Sequence, residues 1–171
     1  MAQWHKLCCA IVLMLCMQPC HAVKVCSVHD GDTFRLCYGP TIRLWGIDAP
    51  ELDQPYGQEA KLALEKLLAQ KNVNLTCADS SYKRWVCLVE VGDKNINHDM
   101  VEQGMAFAEP HYSRNTFKDV QESAKAQKLG VWALPDGGEK PWDHRHRAKQ
   151  AEPENYPPNA MRSEDSDNLS Q

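Results

Sequence analysis

Apolar positions along this chain fall into short runs, broken by glycine, proline and aspartate. Val23 to His29 alternates loosely and is rich in valine. Asp30-Gly31-Asp32-Thr33 follows, then Phe34 to Tyr38. Two such runs around Gly-Asp predict a β-hairpin. Pairing Asp30 with Thr33 sets 29 opposite 34, 28 opposite 35, and Cys26 opposite Cys37. Gly39-Pro40 makes a turn, and Thr41 to Ile47 a third strand. Asp48-Ala49-Pro50-Glu51 opens a proline-bearing loop to Gly57. Gln58 to Gln70 carries Ala60, Leu64, Leu67 and Leu68 on one helical face. Asn72 to Cys77 and Trp85 to Val91 read as strands around a polar loop, Ala78 to Arg84. Asn95 to Gln103 is a short helix stopped by Gly104. Thr116 to Lys128 is another, with Thr116 and Asp119 placed like a capping box and Gly130 as its stop.

Five strands in one small sheet, interrupted by a helix, predict an α+β, mainly β domain. The architecture expected is a five-stranded OB-fold barrel with about three packed helices. The domain is expected over residues 23–147. Before it, Lys6 precedes an apolar run from Leu7 to Met17, and Cys20-His21-Ala22 offers a cleavage site. Residues 1–22 therefore read as a signal peptide. The run is too short for a stable anchor, so no membrane insertion is expected after its removal. From Ala148 to Gln171 apolar residues nearly vanish, and a disordered polar tail is expected.

Removal of the leader changes what the cysteines mean. Cys26, Cys37, Cys77 and Cys87 remain. Four cysteines in an exported chain suggest two disulfides in an oxidising compartment, either the periplasm or the exterior. The hairpin register favours 26–37, and symmetry about Tyr82 favours 77–87; free buried thiols are the alternative for the second pair. Charge narrows the function classes. The whole chain carries −4, which excludes proteins that hold nucleic acid by bulk electrostatics alone. A nucleic-acid function would need a local site and a bound cation.

Candidate chemistry clusters at the strand ends. Asp30, Asp32, Asp48 and Glu51 are oxygen donors of the kind hard cations such as calcium prefer. Two carboxylates, one carbonyl and several waters would leave an open position for substrate. Arg43 and Arg84 offer planar forks that match phosphate oxygens. Glu51 could hold or deprotonate an attacking water. Tyr82 and Tyr112 are candidate platforms for a base. His98 and His111 show no ligand spacing, and His144 with His146 reads as a chance pair in a polar stretch.

Together these segments resemble the staphylococcal nuclease (thermonuclease) family. The residues that carry the match are Val28-His29-Asp30-Gly31-Asp32-Thr33, Ile42 through Glu51, and Tyr82-Lys83-Arg84. Leu129-Gly130-Val131-Trp132 and Pro141-Trp142-Asp143 extend it. The resemblance implies a calcium-dependent endonuclease that cuts DNA and RNA on the 5′-oxygen side and leaves 3′-phosphates. It implies Asp32 and Asp48 as calcium ligands through their carboxylates, Ala49 through its carbonyl, and Asp30 as support. Arg43 and Arg84 would bind the phosphate, and Glu51 would orient water. Many members have threonine where this chain has Ala49, a change that a carbonyl ligand tolerates. The protein is expected to act as a monomer. The competing reading is a catalytically silent OB-fold module that binds nucleic acid; such a module should have lost an arginine, Glu51 or an aspartate, and this chain keeps them all.

Overall fold

The computed structural model describes residues 23–81 and 84–151. The expected leader, Tyr82 and the end of the expected tail lie outside these residues. Among the described residues there are eight strands and four α-helices: β1 Val23–Val28, β2 Thr33–Leu36, β3 Thr41–Leu44, β4 Ile47–Asp48, α1 Gly57–Leu68, β5 Asn72–Ser81, β6 Arg84–Val91, β7 Lys94–Asn95, α2 Ile96–Glu102, β8 Phe107–Ala108, α3 Lys118–Ala126 and α4 Pro141–Ala151.

β1, β2, β3, β5 and β6 form the expected five-stranded barrel. Antiparallel pairing runs β3-β2-β1-β5-β6, and a parallel β3–β6 seam closes the ring. In that seam Ile42 faces Trp85 and Leu44 faces Cys87. Ile42, Leu44, Cys87 and Val89 are buried, so one face of each strand supplies the core. α1 lays Ala60, Leu64 and Leu68 onto that core, as its helical spacing predicts.

Asn97 ties α2 to the barrel. Its buried side chain accepts a hydrogen bond from Val89 N (3.0 Å) and donates to the carbonyls of Trp45 (2.9 Å) and Cys87 (3.2 Å). Its amide thus satisfies three backbone groups where β3 ends beside β6. Asn97→Ala is expected to cost about 3 kcal/mol, since buried groups lose their partners. Thermal unfolding will show it; an unchanged Tm would refute the bridging role. The two glycines expected to stop helices meet each other. A Cβ on Gly104 would lie 2.1 Å from the Leu129 carbonyl oxygen, and one on Gly130 would lie 2.2 Å from the Gly104 oxygen. Val131 N donates across this crossing to Gly104 O (2.9 Å). Both positions have positive φ, which glycine alone adopts freely.

Four expectations need correction. The first hairpin is shifted: Val28 faces Phe34 and Ser27 faces Arg35, and a bulge follows so that Val25 faces Leu36. The tip is not a two-residue turn. His29 N bonds to Thr33 O (2.8 Å), and Asp30 Oδ1 accepts from Asp32 N (3.0 Å), so the aspartate side chain shapes a longer loop. Cys26 sits in the bulge and still pairs with Cys37 (Cα–Cα 4.7 Å). Cys77 lies directly opposite Cys87 and is bonded to it (Cα–Cα 4.0 Å).

Second, the polar loop expected over Ala78 to Arg84 is mostly paired strand, with Ser81 opposite Arg84. Third, the third strand stops at Leu44; Gly46 turns the chain with φ 72, and β4 pairs with β8 instead of the barrel. Fourth, α3 begins later than expected and has no side-chain cap, so Thr116 and Asp119 form no capping box. In addition, the stretch after Pro135 contains α4, which runs to Ala151, beyond the boundary expected at 147.

Candidate active site

The candidate side chains gather where four pieces of backbone meet: the start of β2, β3, the β4 end with the loop after it, and α4. Asp32 precedes β2 and is buried; so is Asp48 at the end of β4. The Asp32 carboxylate accepts from Thr33 Oγ1 (2.8 Å) and from Ala49 N (3.0 Å). The second bond fastens the hairpin tip to the loop that follows β4. Arg43, on β3, bridges the two aspartates. Its Nη1 donates to Asp32 Oδ1 and its Nη2 to Asp48 Oδ1 (2.7 Å).

Glu51 is set by its own loop. Its N–H donates to Gln54 Oε1 (2.9 Å), and Gln54 N returns a bond to Glu51 O (2.9 Å). The start of α1 packs so close that a Cβ on Gly57 would sit 1.9 Å from the Glu51 carbonyl oxygen. Only glycine permits that approach.

Arg84 opens β6, opposite Thr41 of β3; Arg43 lies two residues further along, opposite Val86. Paired residues of parallel strands point the same way, so both arginines leave the barrel on one face. Strand spacing and rise set their Cα positions roughly 8 Å apart. Arg84 is exposed. The structure therefore brings Asp30, Asp32, Arg43, Asp48, Ala49 and Glu51 together and sets Arg84 on the same barrel face as Arg43. Tyr112 is 69 % exposed on a turn, and its N–H donates to Glu109 Oε2 (2.6 Å).

One residue was absent from the sequence expectations. Arg145, on α4, holds both oxygens of Asp48: Nη2 to Oδ2 at 2.6 Å and Nη1 to Oδ1 at 3.1 Å. Its Nη1 also donates to Glu51 Oε1 (2.7 Å). Carboxylate and guanidinium thus alternate through Asp32, Arg43, Asp48, Arg145 and Glu51. The signal available was Pro141 at a first helical position followed by Trp142.

Burial pushes the Asp32 carboxyl up to about 7; Arg43 and the Ala49 N–H pull it down, while Asp30 and Asp48 add to the rise. Burial lowers the Arg43 pKa, but Asp32 and Asp48 more than offset this, and the net shift is upward. Arg145 is raised by its bonds to Asp48 and Glu51 against a smaller opposing effect of burial. Buried carboxylate oxygens of this kind are the donors that a divalent cation of the calcium type takes. A second acidic group, His98, Asp99 and Glu102 on α2, brings ligand atoms within 4.8 Å of one another, with His98 and Glu102 exposed.

A closed five-stranded barrel with arginines and carboxylates gathered beside it defines a small OB-type domain. The chain belongs to the staphylococcal nuclease homologue family, whose profile matches residues 41–134. It is 39 % identical over 128 residues to an uncharacterized endonuclease of Haemophilus influenzae, covering 71 % of this chain and 72 % of that protein. It is 31 % identical over 144 residues to a micrococcal nuclease of Shigella flexneri, covering 75 % and 82 %. A probable staphylococcal-like nuclease of Oryza sativa is 38 % identical over 112 residues, which span 64 % of this chain and 22 % of the plant protein.

Proposed function

We propose that this protein is a calcium-dependent phosphodiesterase that hydrolyses DNA and RNA. The observation that carries the reading is the joint placement of buried Asp32 and Asp48 beside Arg43, with Arg84 on the same barrel face. A structural ion site has no use for that arginine pair. The names of the relatives from Haemophilus and Shigella agree with it.

In this reading the carboxylates of Asp32 and Asp48 and the carbonyl of Ala49 hold the ion, with Asp30 shaping the loop behind them. When bound, calcium polarises a phosphate oxygen and offsets charge that builds at phosphorus. Arg43 and Arg84 grip the non-bridging oxygens, and Arg84 stands toward the leaving 5′-oxygen. Glu51 orients the attacking water and takes its proton. Water oxygen bonds to phosphorus, the P–O5′ bond breaks, and the departing 5′-oxygen takes a proton from solvent. The products are a 3′-phosphate and a 5′-hydroxyl.

The chain is proposed to act after export, as a monomer. The two disulfides support an oxidising destination. Among the described residues no helix is long and apolar enough to cross a membrane.

The deciding experiment incubates the purified protein with DNA and with RNA, in calcium and in chelator. Cleavage of both with calcium and of neither in chelator is expected, with 3′-phosphate ends. Binding of single strands without cleavage in calcium would instead establish the silent module. Cleavage that persists in chelator would remove the ion from the mechanism.

A further inference from the structure

Arg145 stands outside every role assigned above, yet it makes the closest contacts to Asp48 in the site. We propose that Arg145 is a third arginine of the active site, a positioning residue that clamps Asp48 to Glu51 and shares Asp48 with the bound ion. The inference rests on the reading of Asp32 and Asp48 as ion ligands.

The helix that delivers it is anchored without it. Pro141 is buried at the start of α4, and Trp142 meets the Phe107 ring edge-on at 6.1 Å. His144 reaches Asp53 (3.1 Å) and Glu139 (3.2 Å), and Arg147 holds Glu139 at 2.7 Å. Gln54 Nε2 donates to Glu139 O (3.1 Å), which ties the Glu51 loop to the lead-in of α4. Arg145 is therefore presented to the carboxylates by a fixed frame.

Its fork does two things at once. It joins Asp48, on β4, to Glu51, on the loop, so the groups assigned to ion and to water keep one spacing. It also takes positions on both Asp48 oxygens, where Arg43 already occupies Oδ1. An ion bound at Asp48 must coordinate beside a resident cation. Like charges about 5 Å apart near a protein surface repel enough to shift an affinity by tenfold or more.

The test compares the wild-type chain with Arg145→Gln and Arg145→Lys. Calorimetric titration with calcium alone, without nucleic acid, reads ion affinity; steady-state cleavage at saturating calcium reads kcat and KM. Arg145→Gln is expected to bind calcium about tenfold more tightly. Its kcat falls about 10²-fold, with KM little changed, because Glu51 loses its spacing. Arg145→Lys keeps the charge and binds calcium within about twofold of the wild type, but a single ammonium does not bridge two carboxylates, so kcat still falls. An arginine that served only to hold Asp48 in place, without sharing it with the ion, would weaken ion binding when removed. Calcium binding by the wild type with equal or weaker binding by Arg145→Gln overturns the role of Arg145 alone. Failure of all three proteins to bind calcium overturns the ion-ligand reading, and this inference with it.

Discussion

Arg84→Ala is expected to lower kcat by about 10² to 10³-fold while leaving Tm unchanged. The magnitude is that of removing one donor from the charge that builds in the transition state. The separation of the two effects comes from position. Arg84 opens β6 as an exposed residue, and its backbone, not its side chain, makes the pairing with Thr41 and Ser81. Exposed substitutions of that kind shift stability by less than about 0.5 kcal/mol. Full activity in Arg84→Ala would sink the phosphate-clamp mechanism. An unfolded Arg84→Ala protein would show instead that the side chain holds the sheet.

Arg43→Ala should behave differently, losing both activity and stability. Arg43 is the cation between two buried carboxylates, with its side chain 23 % exposed against 4 % for Asp32 and 2 % for Asp48. Removing it leaves Asp32 with only the Thr33 hydroxyl and the Ala49 N–H. Breaking a buried pair by deleting one partner costs about 3–5 kcal/mol. Melting in chelator should therefore show a large drop in Tm, and calcium should recover part of it, because binding to the folded state stabilises it by mass action. Cleavage should fall by at least 10²-fold even where the protein remains folded. A variant as stable as the wild type in chelator would mean that the aspartates do not depend on Arg43. The contrast between the two arginines is the sharper measurement: one seam, two residues, one loss shared and one not.

The barrel was legible because its strands bury one face and its first helix repeats leucine at helical spacing. Ala60, Leu64 and Leu68 were placed correctly for that reason. Detail failed where side chains overrode the backbone pattern. The Asp30 carboxylate captures the Asp32 N–H and lengthens the hairpin tip, which moves every pairing by one until the bulge at Cys26. α4 was missed because its attachment leaves no apolar stripe. Pro141 is its sole buried residue, Trp142 meets Phe107 edge-on, and His144 and Arg147 add polar contacts. Such a helix reads as polar sequence, since periodicity reports apolar burial and nothing else. The same blindness hid Arg145. Asp32, Arg43, Asp48 and Glu51, by contrast, stand close together in sequence and needed only the β2–β3 pairing to meet.

The two crosslinks close rings with sequence separations of 11 and 10, and each ring contains one hairpin tip. Asp32 lies inside the first ring and Arg84 inside the second. Neither crosslink joins one hairpin to the other; that union rests on the β1–β5 pairing, on the parallel seam and on Asn97. Short rings remove part of the freedom of the unfolded chain, about 2–3 kcal/mol each, and their restraint falls on the strands within them. Thiol chemistry is thereby coupled to the segments that carry Asp32 and Arg84, while the barrel's closure answers to strand pairing and packing.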